Sequence, residues 1–102
     1  MKILFVCSMG MSSAIAAKAL EKECEKHGID VSVVECSTQA FEEEVKKGYA
    51  IAMVAPQIRH RYDTLKAYAD EVNVPCVLIN PMGYTALGGP KLLAQIKENI
   101  EL

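Results

Sequence analysis

Residues 49–55 read YAIAMVA, a run without a charged side chain. A strand of this kind has to be covered on both faces, which places it inside a parallel sheet with helices above and below. The rest of the chain supplies what such a sheet needs. Lys2–Val6 is a second short apolar run. Asp30–Cys36 (DVSVVEC) is β-branched and strand-like. Pro75–Ile79 (PCVLI) carries its proline at the first position, where a strand tolerates it.

Between these runs lie longer stretches with helical periodicity. Residues 12–27 place Ala16, Leu20 and Cys24 on one face. Ser12 or Ser13 is predicted to cap the start of this helix and Gly28 its end. Gln39–Lys47 reads as a short polar helix ended by Gly48, with Glu42 to Glu44 early and Lys46 and Lys47 late, as the helix dipole favours. Gln57–Val72 carries Ile58, Tyr62, Leu65, Ala69 and Val72 on one stripe. Asn80–Gly89 is a loop rich in glycine and proline. Pro90 suits the first turn of a last helix, whose buried face is Leu93, Ile96 and Ile100.

The order βαβαβαβα, with no repeat and no linker, predicts one domain over residues 1–102. Its class is α/β: three layers, a four-stranded parallel sheet with helices on both faces. Right-handed crossovers give the strand order 2-1-3-4. Ligands of such sheets bind outside the carboxyl ends of the strands, where the winding reverses. Here that point lies between the first and third strands, so Cys7 and Pro56–Gln57 border the expected site.

Composition narrows the class. Hydrophobic residues are 51% of the chain, enough for a core at this length. A net charge of −2 argues against nucleic acid or an anionic membrane as the main partner. The apolar run Ile3–Val6 is too short for a secretory leader, and no stretch is long enough to span a membrane. A cytoplasmic chain with reduced thiols is expected. Cys7, Cys24, Cys36 and Cys76 show neither C-x-x-C spacing nor a histidine-rich setting, so no metal and no cofactor is expected.

The cysteines differ by position. Cys24 falls on the buried stripe of the first helix, and Cys76 opens the fourth strand at the amino end of the sheet; both read as core filler. Cys36 ends the second strand on the same rim as Cys7. That strand is an edge strand, away from the switch point and with no glycine after it, so a structural role is expected. Cys7 ends a central strand. Gly10 leaves its loop a residue free to take positive φ, and the loop runs straight into a helix start. Successive N–H groups in such a loop form an anion nest, reinforced by the helix dipole. The same field favours the thiolate, the nucleophilic form of a cysteine.

Several classes fail on missing residues. There is no G-x-x-x-x-G-K-[ST] run. A cysteine phosphatase of the low-molecular-weight type carries C-x5-R-[ST] and an acid in a D-P pair. Here Ser13 stands at the arginine position, and the chain has N-P at Asn80–Pro81 but no D-P. A nucleophile without that acid suits holding and passing on a phosphoryl group better than hydrolysing it. From the residues alone, a cysteine phosphatase and a redox sensor with Cys36 resolving Cys7 both stay open.

The run ILFVCSMGMSSA resembles the phosphorylation-site loop of enzyme IIB of the bacterial phosphoenolpyruvate-dependent sugar phosphotransferase system. It is most similar to the lactose/cellobiose/chitobiose class, whose loops typically read C-[AGS]-A-G-M-S-[TS]-[SG]. A second match is APQIRHRY, residues 55–62, where the family commonly carries a P-Q-I-like segment. The resemblance implies a phosphoryl relay. A histidine of enzyme IIA phosphorylates the IIB cysteine, which passes the group to a sugar of the cellobiose, chitobiose or lactose kind held by the membrane enzyme IIC. On that reading Cys7 is the phosphocysteine. Ser8, Met9, Gly10, Met11, Ser12 and Ser13 form the phosphate cradle, and Gln57 is a second-side contact. Met9 stands where the family usually has a small residue. The basic trio Arg59, His60 and Arg61 reads either as a contact for an acidic partner or as a solvated face. Met9, Met11 and Tyr84 are candidates for an apolar rim around Cys7.

Overall fold

The computed structural model describes residues 1–7, 11–84 and 87–100, with the side chains of residues 11–13 and 83 outside that description. Four parallel strands, β1 (Lys2–Val6), β2 (Ser32–Cys36), β3 (Ile51–Val54) and β4 (Cys76–Leu78), form one sheet in the order β2-β1-β3-β4. This is the expected order. The central strands are buried along their length apart from Lys2, whereas the edge strand β2 is only partly covered.

The apolar runs of β1 and β3 serve two cores at once, because successive side chains point to opposite faces. Leu4, Val6, Ala52 and Val54 pack with Phe41 and Val45 on one side and with Leu65 and Ala69 of α3 (Tyr62–Glu71). Phe41 opens α2 (Phe41–Glu44), which continues as a 3-10 turn over Val45–Lys47. Ile3, Phe5, Ile51 and Met53 face the other way, onto Leu20 and Cys24 of α1 (Met11–Lys26) and Leu92 and Ile96 of α4 (Gly89–Asn99).

Gly28 closes α1 as expected. At φ +70° its N–H donates to the Glu25 carbonyl (3.1 Å), and the Ile29 N–H donates to the Cys24 carbonyl (2.9 Å). This is the Schellman arrangement, which satisfies two terminal carbonyls. The start of α1 differs from expectation. The helix opens at Met11, so Ser12 and Ser13 lie in its first turn and not at its cap. The Ser37 hydroxyl accepts from the Ala40 N–H (3.3 Å), closing the turn before α2, which starts two residues later than predicted.

The third helix starts five residues later than its apolar stripe implies. Residues Pro56–Arg61 wind as 3-10 turns with Ile58 outside helical geometry at φ −115°, ψ 28°. Ile58 is buried, but by a turn of the chain over the sheet end and not by a helix face. The first strand has the expected bounds, whereas β2, β3 and β4 are shorter than their apolar runs; β3 is matched to β1 from Ile3↔Ile51 to Val6↔Val54.

Two side chains complete the β4 edge. The Tyr62 hydroxyl donates to the Cys76 carbonyl (2.8 Å). On α4, Gln95 Nε2 donates to the Leu78 carbonyl (2.6 Å), while its Oε1 accepts from the Asn80 N–H (3.2 Å). On the opposite helix layer α1 and α4 touch backbone to backbone. A Cβ added to Gly89 would stand 2.5 Å from the Ala19 carbonyl oxygen and 3.0 Å from Glu23 Cβ. Gly89→Ala is therefore expected to push the two helices apart and lower stability by about 1–3 kcal/mol, read as a reduced urea midpoint.

Candidate functional site

The ends of β2, β1 and β3 are flush, with Val6 opposite both Cys36 and Val54. One residue on, the Cys7 N–H donates to the Cys36 carbonyl (3.1 Å), and the Ala55 N–H donates to the Val6 carbonyl (2.9 Å). These ladder bonds hold the position where the chain leaves the sheet between its two neighbours. Cys7 is 3% exposed and packs with Val54, Ala55, Ile58 and Phe41. Tyr84, beyond the turn Pro81–Gly83, packs against both cores and so lies across the end of the sheet.

The predicted site residues fall on this rim in different ways. Ser8, Met9 and Gly10 lie outside the described residues, as do the side chains of Met11, Ser12 and Ser13 in the first turn of α1. The possible apolar rim of Met9 and Met11 is therefore outside the described side chains. Gln57 is exposed on the 3-10 segment that follows β3. Arg59, His60 and Arg61 are exposed on the same segment, and none of them enters an ion pair among the described residues.

The other cysteines are held away from the thiolate form. Burial, with Glu44 and then Cys7 adding to it, pushes the Cys36 thiol up to about 12. Burial pushes Cys76 up to about 12, against the pull of Lys66. Burial, reinforced by Glu23, raises Cys24, which packs as core beside Leu20 and Leu92.

Cys36 lies on the same rim as Cys7, as expected from the strand order. The edge strand β2 is the direct neighbour of β1, so Cys36 and Cys7 are joined by a backbone hydrogen bond. Strand spacing puts their Cα atoms about 6 Å apart, within disulfide range. No disulfide joins any of the four cysteines. The raised Cys36 thiol opposes attack on a neighbour.

Sequence reasoning missed Tyr62 and Gln95 as edge-closing groups, and Tyr49, whose hydroxyl donates to Glu44 (2.6 Å) at the start of β3. The signal for Gln95 is a polar residue bordering the apolar stripe of α4. Among the described residues no cluster of three or more histidine, cysteine, aspartate or glutamate side chains suits a metal ion, and no helix is long and apolar enough to cross a membrane.

A family model described as "PTS system, Lactose/Cellobiose specific IIB subunit" matches residues 2–95. The chain belongs to this family of sugar phosphotransferase system IIB components. It is 28% identical over 101 residues to a lactose-specific EIICB component of Streptococcus mutans, covering 97% of this chain and 18% of that protein. It is 26% identical over 94 residues to an oligo-beta-mannoside-specific EIIB component of Bacillus subtilis, covering 92% and 90%. Among solved structures, the lactose-specific IIB component domain of Streptococcus pneumoniae superposes with a TM-score of 0.78 at 20% identity, over 93% of this chain and 95% of that one. The cellobiose-specific IIB component of Borrelia burgdorferi gives 0.74 at 26% identity, over 96% and 89%.

The buried thiols carry a pH signature. Unfolded, Cys36 and Cys76 ionise near 9.0; folded, they hold their protons to about 12. Between those values the unfolded chain has lost protons that the native state keeps, so unfolding is favoured as pH rises. This stability is fully present below pH 9.0 and is lost progressively toward about 12. Urea midpoints measured across that window are expected to fall, and to fall less steeply in Cys76→Ala, whatever that variant's starting stability.

Proposed function

We propose that the chain is the phosphocysteine carrier of its phosphotransferase system. Enzyme IIA is the donor, and a sugar bound by membrane enzyme IIC is the acceptor. The observation that carries this reading is Cys7, placed where the central strand β1 leaves the sheet and enters α1, in a chain of the IIB family. In the first step the Cys7 sulfur attacks the phosphorus of a phosphohistidine. The S–P bond forms, the P–N bond breaks, and the thiol proton ends on the released imidazole. In the second a sugar hydroxyl oxygen attacks the same phosphorus. The O–P bond forms, the S–P bond breaks, and the hydroxyl proton ends on the sulfur.

Residues 8–13 are the proposed phosphate cradle, with Gln57 approaching from the β3 side. Ser13 at the phosphatase arginine position and the absence of a D-P acid leave nothing to drive hydrolysis, which is what a carrier requires. The relatives are named for lactose, an oligo-beta-mannoside and cellobiose. We assign this chain an oligosaccharide of that kind, selected by enzyme IIC at the cytoplasmic face of the membrane.

Incubation with phosphorylated enzyme IIA is expected to add one phosphoryl group to the intact mass of the wild-type chain and of Cys36→Ser. Cys7→Ser is expected to gain none. A gain that survives Cys7→Ser sinks the assignment.

A further inference from the structure

Charge is sorted by position in this molecule. The chain has 13 acidic residues, yet residues 7–14, 36–40, 55–62 and 79–90 contain none. Of these, 36–40 and 55–62 leave β2 and β3 at the carboxyl end of the sheet, flanked by Glu35, Glu42 and Asp63, whereas Gly89 packs beside Ala19 and Glu23 in the second half of α1. Other acids lie toward the opposite end, where Glu21, Glu25 and Asp30 line one groove beyond the end of α1 and Asp70 and Glu71 close α3. The net charge is −2, so the basic run 59–61 is a local feature and not the mark of a basic protein.

The entry to α3 also departs from a rule that the first turn of α2 obeys. A helix amino terminus favours anions and disfavours cations. The first turn of α2 carries Glu42, Glu43 and Glu44. The first turn of α1 carries no acid. Three basic residues lead directly into α3, whose N-cap, Arg61, makes no side-chain cap and whose first turn holds only Asp63. The Ala55–Val6 hydrogen bond fixes the root of this basic segment beside the residue that precedes Cys7. Cations that enter no ion pair among the described residues mark a site whose compensation comes from outside.

We propose that Arg59 and Arg61 form a cationic docking strip for the acidic, phosphoryl-bearing face of the donor protein. The strip rests on the carrier reading and deepens it. Exposed charges contribute little to a finished complex, because water and salt screen them. Their effect lies in encounter. A field of one sign around a site raises association rates by ten- to a thousandfold at low ionic strength, and salt removes the gain. The strip attracts the donor's negative face and aligns it while the dianionic phosphoryl group approaches Cys7.

Single-turnover transfer from limiting phosphorylated enzyme IIA separates the outcomes. Arg59→Gln/Arg61→Gln is expected to lower the second-order rate about tenfold at low salt and to converge on the wild-type rate at high salt. Its final extent of phosphorylation and its thermal midpoint are expected not to fall. Lys26→Gln/Lys97→Gln removes the same charge from the opposite end and is expected to leave the rate unchanged. Equal rates for the wild type and the arginine variant overturn the strip alone. So does a deficit that persists at high salt together with a lowered midpoint. A wild-type chain that gains no phosphoryl group overturns the carrier reading, and the strip with it.

Discussion

The two-sided burial of β1 and β3 is the interaction on which the rest depends. Each residue of these strands belongs to one of two cores, Leu4 and Val6 to one and Ile3 and Phe5 to the other. No polar side chain fits between two such layers without losing its hydrogen bonds. Polar chemistry is therefore displaced to the ends of the strands. Because the register ends Cys36, Val6 and Val54 level, the exits of three strands fall on one rim.

That rim sets one cysteine apart by geometry. Cys24 and Cys76 are buried away from the rim, and burial raises their thiols. Cys36 shares the rim but is held as a thiol by burial and by the nearby Glu44. Cys7 leaves the sheet between two paired neighbours, at the junction with α1. The proposed carrier role asks for a sulfur fixed in position, and the backbone bonds at the end of a central strand fix this one.

Much of this is legible in the residues. The run YAIAMVA demands cover on both faces, and alternation with periodic stretches then leaves few topologies, so the strand order follows. Cys7 follows from the order, because only one switch point exists. Boundaries are less legible. Ile58 lies on the apolar stripe of α3 whether a helix or a turn buries it, so periodicity places the helix start too early. Ser12 and Ser13 have capping chemistry in either of two adjacent positions, and only the observed start at Met11 separates cap from first turn. The shared rim of Cys36 and Cys7 is legible from the strand order, since an edge strand is one strand spacing from its neighbour. Long-range side-chain bonds such as Gln95 to Leu78 join residues 17 apart and leave no local pattern.

Gln95 decides how wide the sheet is. In a parallel ladder alternate residues of β4 turn their backbone groups toward β3, as Ile79 does by donating to Val54, and the intervening ones turn outward. The amide of Gln95 meets two of the outward groups as another strand would, one donor and one acceptor, and the Tyr62 hydroxyl meets a third. An incoming chain finds three of that edge's outward groups already met. At the other edge Glu35 puts a charge on the exposed margin of β2. Both margins are thus made poor templates for a fifth strand, which guards a chain of this kind against the edge-to-edge polymerisation to which open sheets are prone.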